Sequence, residues 1–255
     1  MGGCAIAATP AELAARCALV VVAVVDAVQT GDVLFGAGGT AEVMGPGRCV
    51  MLCPTIGPAD TERFAARLAA AGVDVVDAPM SGGPKRARDG TMSLMVACPD
   101  ELFARWQPWL EALSDRIFRV GPRAGDGART KLVNNLLAAV NLAGAAEAMA
   151  LAGRLGLDAR TTLAVIEQSS GQSWIGSDRL RRVLAGVDSV LAQAALLAKD
   201  SSLALAAARE AGFTAPVGEA AAARFAAALA AGHGAGDDSV LWALAAGRTD
   251  PAAAR

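Results

Sequence analysis

A continuous apolar run dominated by β-branched valine, Leu19–Val25, sits between Arg16 and Asp26 near the start of the chain. Such a run is the pattern of a strand buried on both faces of a parallel sheet. Comparable runs recur at Arg48–Cys53, Val73–Asp77, Thr91–Ala97 and Arg116–Val120. Helical segments lie between them. Pro58–Ala71 opens on a proline, carries Asp60 and Glu62 in its first turn and stops at Gly72, which are helix start and stop signals. Pro99–Leu113 reads as another, and Thr9-Pro10-Ala11-Glu12 opens a third ahead of the first run. This alternation predicts an α/β architecture with a mostly parallel sheet of the nucleotide-binding type.

The pattern stops at Gly121-Pro122-Arg123-Ala124-Gly125-Asp126-Gly127, a breaker-rich hinge. Beyond it the sequence reads as helix throughout. A long segment runs from Ala128 to Leu155 and ends at Gly156. Asp158 caps the next, to Gln168. Others cover Ser173–Ala185, Val190–Ala211, Pro216–Ala231 and Asp238–Ala246. The domain boundary is expected near residue 124, giving a sheet domain over 1–124 and an all-α domain over 125–255.

At 255 residues, 54% of them hydrophobic, the chain can bury a substantial core. A net charge of -2 and 4% aromatics provide neither a basic footprint nor stacking platforms, so no nucleic-acid partner is expected. The apolar run Cys17–Val25 has strand length rather than membrane-span length, and no membrane partner is expected. No basic segment followed by an apolar stretch opens the chain, so no signal peptide is read. Cys4, Cys17, Cys49, Cys53 and Cys98 show no Cys-x-x-Cys spacing, and with one histidine, His233, a Cys/His zinc site is not expected. Reduced thiols and a cytoplasmic location follow.

Two motifs carry chemistry. Asp77-Ala78-Pro79-Met80-Ser81-Gly82-Gly83-Pro84 follows the third strand. A Ser-Gly-Gly turn at the carboxyl end of a strand offers backbone N–H groups and a hydroxyl to an anion, or is simply a tight turn. Gly125 to Asn135 is the second motif, with Lys131 in the first turn of the long helix. Lys131 is either a solvated helix charge or, straight after the hinge, a group at the mouth of an interdomain cleft. Asn134 and Asn135 lie at i+3 and i+4 from it, on the same helix face. Polar side chains among Leu132, Val133, Leu136 and Leu137 need partners. His233, in Gly-His-Gly, reads as a loop residue, and Gly36-Ala37-Gly38-Gly39-Thr40 as a loop rather than a phosphate turn.

Together, the Asp77–Gly83 motif and the Gly-x-Gly-x-x-x-Lys-x-x-x-Asn element resemble the β-hydroxyacid dehydrogenases, which include 3-hydroxyisobutyrate dehydrogenase and relatives of 6-phosphogluconate dehydrogenase. Ala27–Thr30 with Val33–Gly36, Gly171–Trp174, Lys199-Asp200, and Gly232–Gly234 with Asp237–Ser239 resemble the L-threonate dehydrogenase branch most. The resemblance implies a Rossmann-type domain followed by a helical one, NAD or NADP as cofactor, a small 3-hydroxy acid as substrate, and a homo-oligomer. It implies Lys131 as the catalytic lysine and Asn135 as a partner that holds the reacting oxygen or orients the lysine. It implies Ser81, Gly82 and Gly83 on the substrate carboxylate, and Thr55, Asp26 and Lys199 beside the cofactor. Asp26 stands where that branch usually has asparagine; its other reading is a solvated strand-end charge. A lysine in water titrates near ~10.4 and is a poor base at neutral pH. Desolvation disfavours its ammonium form and makes it a usable acid or base.

The family's Gly-x-Gly-x-x-Gly turn between a first strand and a helix has no counterpart in these residues, so the Rossmann domain is expected to be truncated. The open strand edge would then be hydrophobic. Two readings follow: a dehydrogenase whose N-terminal segment is not in this sequence, or a cofactor-deficient relative acting as a binding or oligomerisation protein.

Overall fold

The computed structural model describes residues 4–248, which form two compact units dividing between Leu132 and Val133. The division falls inside one helix, α6 (Asp126–Arg154), rather than in the hinge before it.

In the first unit, β1 (Leu19–Val22), β2 (Cys49–Leu52) and β3 (Asp74–Asp77) pair in parallel, Val22 opposite Leu52 and Leu52 opposite Asp77. β5 (Ser93–Ala97) meets β3 antiparallel at Asp77 and Ala97. It carries β4 (Met80–Ser81) antiparallel and β6 (Arg116–Gly121) parallel. The sheet is therefore parallel-dominated, with its reversal at β5. Every β2 residue is buried. Val50 and Leu52 face one cluster with Leu34, Phe64 and Leu68, while Cys49 and Met51 face another with Leu94, Trp106 and Leu110. The two-residue period of a strand thus builds a core on each face. β1 forms one edge, and its Val21 is 42% exposed.

Helices α1 (Pro10–Ala15), α3 (Pro58–Ala70) and α5 (Asp100–Leu113) follow their sequence signals. Thr9 caps α1 by accepting the Glu12 N–H at 3.1 Å. Two short helices are additional: α2 (Ala27–Phe35) and α4 (Gly83–Arg88). α2 is why the first strand stops at Val22 rather than Val25. Asp26 accepts the Gln29 N–H at 2.8 Å, and the Gln29 amide oxygen accepts the Val25 N–H at 3.1 Å. This reciprocal cap outweighs the β-propensity of Val24 and Val25. Of the 36–40 glycine stretch, residues 36–39 are the loop after α2, and Thr40 opens a 3-10 turn, Thr40–Glu42.

The second unit contains the remainder of α6, then α7 (Ala159–Glu167), α8 (Trp174–Leu184), α9 (Ala194–Glu210), α10 (Pro216–Ala230) and α11 (Val240–Ala245). Leu142, Met149, Leu180, Phe225 and Trp242 are buried at its centre, packed among alanines. Asp158 and Ser173 cap α7 and α8 through side-chain oxygens. His233 closes the end of α10, donating its N–H to Ala228 O at 3.0 Å. By length and composition alone α6 is apolar enough to cross a bilayer. Its Ala139, Leu142, Ala146 and Met149 instead belong to this core.

Candidate active site

The carboxyl ends of β1, β2 and β3 lie side by side, and each leads into a residue singled out above. Past β1 comes Asp26, past β2 comes Thr55, and past β3 come Ser81, Gly82 and Gly83. In an open sheet this edge is where ligands bind. Gly82 holds φ +139° and Gly83 φ +67°, so the turn after β4 uses backbone conformations that suit glycine.

Lys131 is brought to this turn. Its side chain is buried, and Nζ donates to the Met80 carbonyl oxygen at 2.6 Å, beside the Ser81 peptide. Residues 80 and 131 are 51 apart in sequence.

The group that joins these segments is Asp77, the last residue of β3, 2% exposed. Its Oδ2 accepts three backbone N–H groups, from Gly125 at 2.8 Å, Gly127 at 3.0 Å and Ala128 at 3.2 Å. Those donors are the residue just before α6 and two in its first turn, where N–H groups lack intrahelical acceptors. Burial pushes the Asp77 carboxyl up to about 6, against the downward pull of the three donors, and the nearby Asp126 carboxylate adds to the rise. Sequence reasoning read the Ser-Gly-Gly turn and left Asp77 without a role. A lone carboxylate closing an apolar strand was the available signal.

In the helical unit, Asn135 donates from Nδ2 to Asp200 Oδ2 at 2.6 Å, and its Oδ1 accepts from Asn134 Nδ2 at 2.9 Å. Lys199 Nζ donates to the other Asp200 oxygen at 2.7 Å. Asn135 and Asp200 are both buried. Asp200 thus connects two residues that had been singled out separately. A carboxylate only accepts, so it also fixes which end of the Asn135 amide faces it.

Asp26 is the helix cap of α2 rather than a strand-end residue, since β1 stops at Val22. Its Oδ1 and carbonyl oxygen are turned to the α2 backbone, the carbonyl accepting from Thr30 N at 3.0 Å. A carboxylate there complements the positive end of α2. Among the described residues no cluster of His, Cys, Asp and Glu suits a metal ion.

Two family models span nearly the whole chain. One, described as the NAD binding domain of 6-phosphogluconate dehydrogenase, matches residues 2–121. The other, described as the NAD-binding domain of NADP-dependent 3-hydroxyisobutyrate dehydrogenase, matches residues 125–245. An L-threonate dehydrogenase from Cupriavidus necator is 41% identical over 92% of this chain and 79% of its own length. A solved 3-hydroxyisobutyrate dehydrogenase from Salmonella typhimurium superposes with a TM-score of 0.87 at 34% identity, over 93% of this chain and 82% of that one. Psf3, solved in complex with NADP+ and 2-OPP, superposes with a TM-score of 0.85 at 26% identity, over 93% of this chain and 84% of that one.

Fold and relatives define a two-domain oxidoreductase, a Rossmann-type sheet domain followed by a helical domain. The chain belongs to the β-hydroxyacid dehydrogenase family, as an NAD(P)-dependent 3-hydroxyacid dehydrogenase. The cofactor is NAD or NADP. Past the ends of β1–β3 stand a half-buried Thr55, a glycine turn that lets backbone approach closely, and an Asp26 whose side chain caps α2. The reading as a cofactor-deficient binding protein is not favoured by these relatives, which are named dehydrogenases.

Proposed function

We propose that the substrate is a small 3-hydroxy acid of the threonate or 3-hydroxyisobutyrate kind, interconverted with its oxo acid or semialdehyde. When bound, the nicotinamide supplies the hydride acceptor or donor. In this reading Lys131 takes the proton from the substrate hydroxyl during oxidation and returns it during reduction. Ser81, Gly82 and Gly83 hold the substrate carboxylate through a hydroxyl and backbone N–H groups. Asn135, one helical turn from Lys131 on α6, holds the reacting oxygen with the amide N–H not given to Asp200. Thr55, Asp26 and Lys199 line the cofactor. The threonate preference rests on the Cupriavidus necator relative.

The observation that supports this reading most is the 2.6 Å bond from Lys131 Nζ to the Met80 carbonyl, next to the Ser81 turn. A buried lysine next to a turn rich in backbone N–H groups suits a hydroxy acid better than a neutral alcohol. A domain boundary at residue 124 and a homo-oligomer belong to the same proposal, as does a cytoplasmic location, which the five free cysteines support.

The test is a panel of threonate, 3-hydroxyisobutyrate and simple alcohols with NAD and with NADP, on the chain and on its Lys131→Ala variant. Oxidation of the hydroxy acids, lost about 100-fold or more in the variant, is the expected result. Turnover of the variant at the unaltered rate would remove Lys131 from the chemistry.

A further inference from the structure

We propose that Asp77 is a positioning residue for Lys131, holding the lysine's helix and the lysine's acceptor in one frame. This rests on the reading of Lys131 given above. Gly127 and Ala128, two of the three N–H donors to Asp77 Oδ2, are in the first turn of α6, and Lys131 is one turn further along. On the other side, Asp77 ends β3, and Met80, whose carbonyl accepts from Lys131 Nζ, follows three residues later. The main-chain origin of the lysine and the atom its ammonium touches are thus anchored to the same carboxylate. The donors lie 48 to 51 residues beyond Asp77 in sequence, so neither segment positions the other through local structure.

Two other roles account for Asp77 less well. As an acid or base in the reaction it would have to meet substrate, yet it is 2% exposed and its Oδ2 already serves three donors. As a plain stabilising charge it is badly sited, because burial pushes its carboxyl up to about 6 and the ionised form is the disfavoured one. A charge held at that disadvantage has its use in what it holds in place.

Groups facing Asp77 include Asp126 on α6, Cys53 beyond β2 and Cys98 beyond β5. Burial pushes the thiol of Cys53 up to about 12 and that of Cys98 up to about 11, so both stay neutral near pH 6. Asp126 is paired with Arg129 at 3.1 Å.

The experiment compares the wild-type chain with Asp77→Asn and Lys131→Ala, using kcat and KM from pH 5 to 9 and the backbone amide resonances of Gly125, Gly127 and Ala128. In the wild type, the three amides are expected to titrate together near pH 6, and kcat to fall on the acid side with the same midpoint. In Asp77→Asn the shared titration near pH 6 disappears, and an acid limb that remains, from Lys131 itself, has a different midpoint. There kcat drops about tenfold or more per folded molecule while KM changes far less. Wild-type kcat in Asp77→Asn, or a loss accounted for wholly by its unfolded fraction, overturns the proposal. Should Asp77→Asn fail to fold, wild-type amides and kcat titrating at different midpoints overturn it, and a shared midpoint supports it. An active Lys131→Ala would instead defeat the lysine reading, and this inference with it.

Discussion

A Cβ built on Gly127 would stand 2.8 Å from the carboxyl carbon of Asp77, and equally close to the carbonyl oxygen of Met95. The glycine is what allows the start of α6 to reach the end of β3, and its N–H to bond the carboxylate at 3.0 Å. Real Cβ atoms do not approach a carboxyl carbon or a carbonyl so closely. The Gly-x-Gly spacing in the second motif is therefore a packing requirement as well as a break before a helix.

Gly127→Ala is accordingly expected to push the first turn of α6 away from β3. Overpacking of this kind costs about 1–3 kcal/mol. Because Lys131 rides on the same helix, turnover should fall further than stability does. Thermal unfolding read beside kcat distinguishes the two effects, and unchanged turnover at lowered stability would separate the glycine from the lysine.

Asp200 serves Asn135 with one oxygen and Lys199 with the other, at 2.6 and 2.7 Å. Asp200→Ala removes the acceptor of the buried Asn135 amide and one acceptor of Lys199, and is expected to cost about 1–3 kcal/mol. The same change releases the Asn135 amide and the Lys199 ammonium, so KM for the dinucleotide and kcat should both worsen. Lys199→Ala alone should raise the dinucleotide KM with little change in kcat. Steady-state kinetics on the two variants gives the comparison.

Arg179 and Asp238 form a nearly enclosed pair, with Nε to Oδ1 at 2.7 Å and side chains 11% and 2% exposed. Asp178 pairs with Arg179 as well, and Arg182 joins Asp178 to Asp237. Removing one partner of a buried pair leaves an uncompensated charge, at about 3–5 kcal/mol. Arg179→Ala should thus lower the unfolding temperature by about 6–20 °C, taking about 2–4 °C per kcal/mol for a chain of this size. Replacing Arg179 and Asp238 together by apolar residues should cost less than Arg179→Ala does. Calorimetry on the single and double variants would show a contrary order at once.

Two carboxylates give opposite pH dependences. Bonds from Arg182, Ser239 and Leu191 outweigh the burial of Asp237 and hold its carboxyl down at about 2, below its ordinary 3.8. Its stabilisation is present above pH 3.8 and is lost as pH falls towards 2. Burial holds Asp77 up at about 6 from the same 3.8, so ionising it opposes folding. That penalty is complete above pH 6 and is relieved as pH falls towards 3.8, a change of about 3 kcal/mol. Denaturant unfolding should find the slope between pH 4 and 6 altered by Asp77→Asn alone, and the slope between pH 2 and 4 altered by Asp237→Asn alone. Coincident curves for Asp77→Asn and wild type between pH 4 and 6 would refute the first assignment.

Much of the architecture could be read from the sequence because its causes are local. Thr9, Asp158 and Ser173 announce helices since the bond each makes spans three residues. The buried β2 strand announces itself by composition, and the change from strands to alanine-rich helices marks the second unit. Helix α2 obeys the same local rule, through Asp26 and Gln29, and was overshadowed by the β-branched Val24 and Val25 before it.

The site divides along the same line. Lys131, Asn135 and the Ser81–Gly83 turn carry their chemistry in residue type and spacing, and could be singled out from the chain alone. The roles of Asp77 and Asp200 belong to the tertiary structure. Asp77 finds its donors 48 to 51 residues away, and Asp200, beside its neighbour Lys199, reaches Asn135 across 65, and nothing in the local sequence names those distant partners. A carboxylate with three N–H donors on one oxygen exists only once a strand end and a helix start have packed together. Short-range hydrogen bonding is written into neighbouring residues, whereas satisfying a buried charge depends on which distant backbone the fold brings to it.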